Sequence, residues 1–114
     1  MREEDHNQIN DYLKETIKNE LWGFTKELKK YYNDYKINPK RVFFEGFYNE
    51  EFYCILKYRE YCIYFNDIEE TFGICKIKNN ICKYYAEFYD MLLPTIIKFR
   101  ELIDKNTIEE IFKT

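Results

Sequence analysis

Four short runs of aromatic and β-branched residues follow one another between positions 42 and 78, separated by Asn, Asp, Glu and Arg. Runs of this length, bounded by turn-forming residues, are typical of consecutive β-strands joined by tight turns. The expected strands occupy 42–48, 52–58, 61–66 and 71–78. Because the runs are so closely spaced, the sequence predicts a four-stranded antiparallel meander.

An amphipathic helical pattern precedes the strand block. Apolar residues recur at steps of three and four between positions 9 and 35, which predicts a helix with one buried face. Gly23 lies inside this stretch, but the apolar phase continues across it, so we expect one long helix over 5–36. Asn38 and Pro39 end it, because the residue before a proline is pushed out of the helical region.

A second helical stripe follows the strand block. Its spacing predicts a helix over 80–104 with Asn79 or Asn80 as its N-cap, and Pro94 inside it predicts a kink. Thr107-Ile108-Glu109-Glu110 has the form of a capping box, which predicts a short helix over 108–113. Residues 1–114 are therefore expected to form a single α+β domain, with the helices mainly on one face of the sheet.

The middle hairpin predicts which side chains share a face of the sheet. With a turn at Arg59 and Glu60, Cys54 lies opposite Phe65. One face, expected to be core, then comprises Phe52, Cys54, Leu56, Ile63 and Phe65. The other face comprises Tyr53, Ile55, Lys57, Cys62 and Tyr64. Cys54 and Cys62 are thus expected on opposite faces, which argues against a disulfide between them.

The composition describes a folded chain that is acidic overall. Aromatic residues make up 20% of the 114 positions, and this ring surface argues against disorder. The net charge is −3, although residues 26–41 carry six cations and only two anions. Because nucleic-acid-binding proteins are normally basic overall, nucleic acid is not expected to be the main partner.

Neither a membrane anchor nor a secretion signal is expected from the sequence. No run approaches the roughly 18 apolar residues that a membrane-spanning helix needs. The first residues, Met1-Arg2-Glu3-Glu4-Asp5, are acidic and lack an apolar core, so we expect a cytoplasmic protein without a membrane partner. In the cytoplasm its four cysteines are expected to remain thiols.

The residues that common catalytic and cofactor sites require are missing. The chain has no serine, which excludes a Ser-His-Asp nucleophile, and its three glycines are isolated, which excludes a phosphate-binding loop. Cysteines at 54, 62, 75 and 82 fit no zinc-ribbon spacing, and the only histidine, His6, is far from them in sequence. We therefore expect a non-enzymatic protein without a metal or cofactor, whose cysteines are small buried or half-buried hydrophobes.

The second hairpin face and the turn beside it are the candidate surface for a protein partner. The expected contacts are Tyr53, Ile55, Tyr64, Asp67, Glu69 and Glu70. An apolar aromatic centre bordered by charge is the anatomy of a protein-binding surface, and the acids would suit a basic partner. The alternative is that the second helix, or a second copy of the chain in a homodimer, covers this face.

A basic segment interleaved with tyrosines is the candidate nucleic-acid surface. Its cations are Lys26, Lys29, Lys30, Lys36, Lys40 and Arg41. Such a segment could hold phosphates while its tyrosines stack on bases. We favour the alternative, in which the tyrosines belong to the buried helical face and the lysines complement the C-terminal end of the helix dipole.

Residues 51–93 combine a strand at 52–58, a charged tight turn, an aromatic strand at 61–65 and an acidic turn ending in Glu70-Thr71-Phe72-Gly73. A predicted helix with aromatic residues and leucines follows: Tyr84, Tyr85, Phe88, Leu92 and Leu93. This pattern resembles the small bacterial immunity proteins of polymorphic-toxin and contact-dependent growth-inhibition systems. The resemblance implies a cytoplasmic protein that binds and blocks a cognate toxin domain, often a nuclease.

The leading hypothesis from the sequence is therefore an immunity protein that neutralises a toxin by direct binding. One alternative is a small nucleic-acid-binding or regulatory protein that uses the basic segment 26–41. Another is a phage- or plasmid-encoded inhibitor of a host defence nuclease, which would use the same acidic surface.

Overall fold

A computed structural model describes residues 3–46 and 49–112, with the side chains of 10–46, 49–86 and 91–112. The fold is α+β, as the sequence predicts. In chain order its elements are α1 (Glu3–Leu21), α2 (Lys26–Tyr35), β1 (Lys36–Phe44), β2 (Glu50–Tyr58), β3 (Tyr61–Asn66), β4 (Thr71–Lys78), β5 (Ile81–Asp90), α3 (Leu92–Asp104) and a 3₁₀ helix (Ile108–Phe112).

The five strands form one closed barrel in which each strand pairs with the next. The hairpin pairings are antiparallel, whereas β1 pairs with β5 in parallel, with Phe43 opposite Ile81 and Phe44 opposite Cys82. Parallel closure follows from the odd number of strands, since the first and last strands of such an up-and-down sheet run in the same direction. Closure also pairs the edges that an open meander would expose.

The inner face of the barrel is filled by its own side chains. The buried residues of this inner cluster are Val42, Phe44, Phe52, Cys54, Cys62, Tyr64, Cys75 and Cys82. The ring of Phe44 lies 5.2 Å from that of Phe52 and 4.7 Å from that of Tyr64, measured between centroids. Rings and thiols together therefore occupy the barrel interior, which is the usual arrangement in a small barrel.

The helices pack on the outer face of the barrel. The outer cluster joins their apolar stripes to the outward side chains of the strands, and comprises Leu13, Ile17, Phe24, Leu28, Tyr32, Tyr53, Ile55, Leu56, Ile63, Phe65, Phe72, Ile74, Leu92, Ile96, Phe99, Leu102 and Ile108. Full burial of one such side chain is worth about 1.5–3 kcal/mol relative to exposure. The helices therefore cover Tyr53 and Ile55, two of the side chains that the sequence predicts to face a partner.

The helix predicted over 80–104 is wrong in its first half, where the chain forms β5. Asn79 and Asn80 have φ angles of 55° and 62°, so they form the tight turn of a β-hairpin and not a helix N-cap. Asparagine tolerates this left-handed region better than most residues do. Register shifts between Lys76 and Ile77 and between Phe72 and Gly73 break the pairing of β4 with β5. They also interrupt the alternation of inward-facing and outward-facing side chains by which a strand is recognised in a sequence.

The single long helix predicted over 5–36 is wrong, because the chain breaks between α1 and α2. The backbone N–H groups of Gly23 and Phe24 donate to Glu20 and Leu21, three residues earlier, which closes α1 with tight turns. Thr25 then acts as the N-cap of α2, and its hydroxyl accepts a hydrogen bond from the Leu28 N–H at 3.2 Å. The apolar phase continues across the break because both helices pack on the same barrel face.

The second half of the predicted helix, α3, is confirmed, but Pro94 occupies its first turn. Its missing N–H removes no intrahelical hydrogen bond there, so the predicted kink has no physical cause. The helix ends where Asn106 takes φ 55°, and Asn106 and Thr107 donate to the carbonyls of Ile103 and Leu102. This is a Schellman motif with asparagine in the left-handed position.

The predicted hairpin register is correct near the turn and wrong beyond it. Leu56 lies opposite Ile63 as expected, but a bulge between Cys54 and Leu56 places Cys54 opposite Tyr64 instead of Phe65. An extra residue reverses the facing of every side chain beyond it. Cys54 and Tyr64 therefore point into the barrel, together with Cys62.

The predicted strands at 61–66 and 71–78 are confirmed at both ends, and the strand at 52–58 begins two residues earlier, at Glu50. The first strand begins at Lys36 instead of position 42. It ends at Phe44, earlier than predicted, and Glu45 and Gly46 form a turn. Positions 47 and 48 and the predicted helix end at 113 lie outside the described residues. Across the part of the chain that the structure describes, every helix is too short or too polar to traverse a lipid bilayer.

Candidate functional site

The aromatic face predicted to contact a partner is buried. The exposed fractions of Tyr53, Ile55 and Tyr64 are 2%, 1% and 0%. Tyr53 and Ile55 belong to the outer cluster beneath the helices, and Tyr64 belongs to the inner cluster. The expectation that these three side chains form an exposed surface is therefore wrong, because the helices seal one side of the hairpin and barrel closure seals the other.

The acidic turn between β3 and β4 remains at the surface, and its conformation is fixed from within. Asn66 is fully buried, and its Oδ1 accepts hydrogen bonds from the backbone N–H groups of Ile68 at 2.9 Å and Glu69 at 3.1 Å. Glu69 and Glu70 are exposed, Asp67 is half-buried, and Ile68 is 58% exposed at the tip. We call residues 66–70 the acidic turn; it presents one apolar side chain among carboxylates.

Tyr12 of α1 extends this surface. Its hydroxyl donates a hydrogen bond to Oε1 of Glu70 at 3.2 Å, and its ring centroid lies 6.4 Å from that of buried Phe65. The side chain is still 49% exposed. Sequence reasoning missed Tyr12 because it lies outside the apolar stripe of α1. The one available signal was an aromatic residue out of phase with that stripe.

A second strand contributes acidic charge beside the same turn. The pKa of Tyr53 is raised, chiefly by burial of its hydroxyl and then by the carboxylates of Asp67 and Glu51, while Arg41 acts in the opposite direction. Glu51 is exposed at the start of β2. Asp67 of the acidic turn and Glu51 of β2 therefore both lie near the Tyr53 hydroxyl, together with the cation Arg41.

The predicted basic patch is divided in the folded chain. Lys30 forms an ion pair with Asp34 at 2.7 Å, and Lys40 donates a hydrogen bond to the Asn80 side chain at 2.6 Å. Lys26 is exposed at the start of α2, and Arg41 is exposed on β1 opposite Tyr53. The remaining two predicted cations, Lys29 and Lys36, line grooves that they share with lysines of α1.

These grooves form a basic surface that the sequence did not predict. Lys14, Lys18 and Lys36 line a groove of about 450 Å³ between α1 and the junction of α2 with β1. Lys18 and Lys29 line an adjoining groove with Trp22, whose side chain is 83% exposed. The break at Gly23 places α1 beside α2, so a single long helix could not form these grooves. We call the surface the lysine groove; it comprises Lys14, Lys18, Trp22, Lys29 and Lys36.

The barrel interior contains a cluster of thiols. The Sγ atoms of Cys54, Cys62 and Cys75 lie within 4.8 Å of one another, and those of Cys54 and Cys75 are 4.0 Å apart. Cys82 is the fourth cysteine of the same inner cluster, and its thiol donates to the Tyr84 carbonyl at 3.2 Å. The expectation that Cys54 and Cys62 point to opposite faces is wrong because of the bulge beside Cys54.

The three clustered thiols differ in acidity. The pKa of Cys62 is lowered, first by its hydrogen bond with Cys54 and then by that with Cys75, with smaller contributions from Lys57 and Lys40. The hydrogen bond with Cys62 raises the pKa of Cys54, and burial raises the pKa of Cys75. A thiolate in this cluster is therefore stabilised by hydrogen bonds from the neighbouring thiols.

Comparison with known proteins does not connect the chain to any group. No protein-family model, no curated protein and no solved structure matches it.

Proposed function

We propose that this protein is a non-enzymatic inhibitor that neutralises another protein by covering a cationic site on it with the acidic turn. The partner we infer is the toxin domain implied by the resemblance to immunity proteins, most simply a nuclease domain. A nuclease cleft must be cationic because it holds the phosphates of its substrate. The acidic turn has the complementary charge.

The observation that carries the proposal is Ile68, 58% exposed at the tip of a turn whose other prominent side chains are carboxylates. An apolar centre with a charged border is the usual anatomy of a protein interface. Tyr12, 49% exposed and bonded to Glu70, adds an amphipathic ring of the kind that anchors many interfaces. These two residues take the place of Tyr53, Ile55 and Tyr64 as the anchors of the contact.

The turn is ordered before binding, which favours affinity. The Asn66 side chain accepts hydrogen bonds from two backbone N–H groups of the turn, and the Tyr12 hydroxyl donates one to the Glu70 carboxylate. A loop already held in its bound conformation loses less conformational entropy on association. The carboxylates then act mainly on the association rate and on the choice of partner.

The proposal is tested by co-expression with the toxin domain that we expect to be encoded beside this gene. Growth should be restored, and the purified proteins should form a one-to-one complex. Ile68→Asp should weaken the complex by at least about tenfold, a loss of about 1.4 kcal/mol. Ile97→Asp is the matched control, because Ile97 is also exposed, at 46%, on α3. Failure of the wild-type protein to bind that domain would reject the proposal.

The lysine groove supports a second candidate function, the binding of single-stranded nucleic acid. In the described residues, no carboxylate lines either groove, and the exposed Trp22 offers a ring on which a base can stack. Trp22 is the only tryptophan in the chain, so its fluorescence reports contact directly. Salt-sensitive quenching by mixed oligonucleotides, lost in Lys18→Glu/Lys29→Glu and kept in Lys78→Glu/Lys98→Glu, would establish this function. Unchanged fluorescence at low salt would reject it.

A further inference from the structure

We propose that Cys54, Cys62 and Cys75 bind a single thiophilic metal ion, Zn²⁺ or Cu⁺, in the interior of the barrel. The ion would fasten three neighbouring strands to one another, independently of the acidic turn and of any partner. Thiolates are the preferred ligands of both ions.

The strands bring the three sulfurs together from consecutive positions in the barrel. Cys54 lies on β2, Cys62 on β3 and Cys75 on β4, and Cys62 is directly opposite Cys75 in the register. The bulge beside Cys54 turns that side chain inward towards the other two. Each ligand is therefore held by a paired strand, and rigid elements position metal ligands better than loops do.

The separations between the sulfurs fit metal coordination. A metal–sulfur bond of about 2.3 Å places sulfurs about 3.8 Å apart in a tetrahedral site and about 4.0 Å apart in a trigonal one. The Sγ atoms of Cys54 and Cys75 are 4.0 Å apart, and all three atoms lie within 4.8 Å of one another. Coordination therefore needs side-chain movements of under about 1 Å, and the strands keep their positions.

The same distances do not describe a disulfide. A disulfide bond is about 2.05 Å long, half the separation of Cys54 and Cys75, and all four cysteines are free. Packing alone would account for a buried cysteine as a small hydrophobic side chain. Packing does not by itself require three sulfurs to lie within 4.8 Å of one another, in a cluster that also contains the rings of Phe44, Phe52 and Tyr64.

The burial of the cluster determines how the ion must be loaded. Cys54 is 1% exposed, and Cys62 and Cys75 are 0% exposed. We expect the ion to bind while the barrel closes, and a chelator to remove it only as fast as the barrel opens. Metal loading must therefore be tested by refolding.

The experiment is to unfold the full chain under reducing conditions and refold it with one equivalent of Zn²⁺, with one equivalent of Cu⁺, or with a chelator. After desalting, mass spectrometry under native conditions should find one ion per chain in at least one metal arm. Cys62→Ala should bind none. Cys82→Ala tests the ligand set, since Cys82 is equally buried and its thiol contacts that of Cys75 but lies outside the three-sulfur group, and this variant should still bind one ion.

The stability of the wild-type protein provides a second test, which remains decisive if a variant fails to fold. At a free ion concentration 100 times Kd, the ratio of folded to unfolded protein should rise about 100-fold over the chelator arm. Absence of bound ion and of any such shift in both metal arms would overturn the proposal and leave the cysteines as packing residues. Equal loss of the ion in Cys62→Ala and Cys82→Ala would overturn the three-sulfur ligand set.

Discussion

The carboxylate of Glu20, near the end of α1, accepts a hydrogen bond from the backbone N–H of Leu92, the first residue of α3, at 2.9 Å. Met91, the N-cap of α3, has no side-chain capping bond of its own. Glu20 therefore caps a helix that lies 72 positions further along the chain. An acceptor at this end also meets the favourable pole of the helix dipole.

Replacing Glu20 with alanine should lower the free energy of unfolding by about 1–2 kcal/mol, because the variant loses the cap and leaves the Leu92 N–H without its partner. Urea denaturation measures this change. Glu15→Ala is the matched control, since Glu15 is exposed on the same helix, and it should change stability by less than about 0.5 kcal/mol. Equal effects of the two substitutions would show that the capping contact is not stabilising.

The same carboxyl group predicts a pH dependence. Burial raises the pKa of Glu20 above 4.5, and the hydrogen bonds from Leu92 and Leu93 only partly oppose this. A raised pKa in the folded state gives a contribution to stability that is complete below the unfolded value and is lost as pH rises through the folded value. The stability of the wild type relative to Glu20→Gln should therefore decrease as pH rises from below 4.5 towards neutrality. A difference that is constant with pH, or that increases, would contradict this assignment.

Gly73 leaves space for the ring of Tyr64, its cross-strand partner inside the barrel. A Cβ at position 73 would lie 2.6 Å from Cζ of Tyr64, and Phe44 and Tyr85 pack against that ring. Gly73→Ala should therefore destabilise the fold by about 1–3 kcal/mol, measured by denaturant unfolding.

Gly23→Ala is the control for Gly73→Ala, because a Cβ at position 23 meets nothing closer than 3.6 Å. Gly23→Ala should leave the free energy of unfolding nearly unchanged. A smaller side chain at position 64, as in Gly73→Ala/Tyr64→Leu, should make the cost of Gly73→Ala smaller than in the wild-type background. Additive effects in this double-mutant cycle would show that the steric contact is not the cause.

Glu109 fastens the 3₁₀ helix to the barrel. Its carboxylate accepts hydrogen bonds from the hydroxyl of Tyr61 on β3 and, at 2.7 Å, from the ammonium of Lys76 on β4. Glu109→Ala should raise amide hydrogen exchange throughout Ile108–Phe112 and lower global stability by only about 1 kcal/mol, because the contacts are partly exposed. Glu110→Ala, one residue away and exposed, should leave the exchange unchanged.

Sequence patterns predicted the features that depend on neighbouring residues and failed for those that depend on contacts between distant parts of the chain. The ends of β3 and β4 were predictable because their turn residues and aromatic runs are local signals. The bulge at Ile55 has no such signal, and it alone reverses the facing of Cys54. The thiol cluster was therefore beyond sequence reasoning, which placed Cys62 on the face opposite to Cys54, although the structure buries both in the barrel interior.

The candidate surface was predictable only in part, for a related reason. Glu69 and Glu70 lie in a turn rich in charged residues, and charge of this density is exposed in almost any fold. Tyr12 reaches Glu70 from 58 positions away, and no local pattern indicates that contact. Lys14 and Lys36 likewise line one groove only because the chain breaks at Gly23.

The carboxylates of the acidic turn should speed its diffusional encounter with a cationic partner. Glu69→Lys/Glu70→Lys should slow association with the toxin domain by about tenfold or more at low salt, because charge complementarity speeds diffusional encounter. The dependence of the association rate on ionic strength should also become weaker. Glu101→Lys/Glu110→Lys makes the same change in net charge on α3 and the 3₁₀ helix, so it separates a local effect from an overall one. Stopped-flow measurements over a salt series decide between them, and equal slowing by both variants would remove the acidic turn from the encounter.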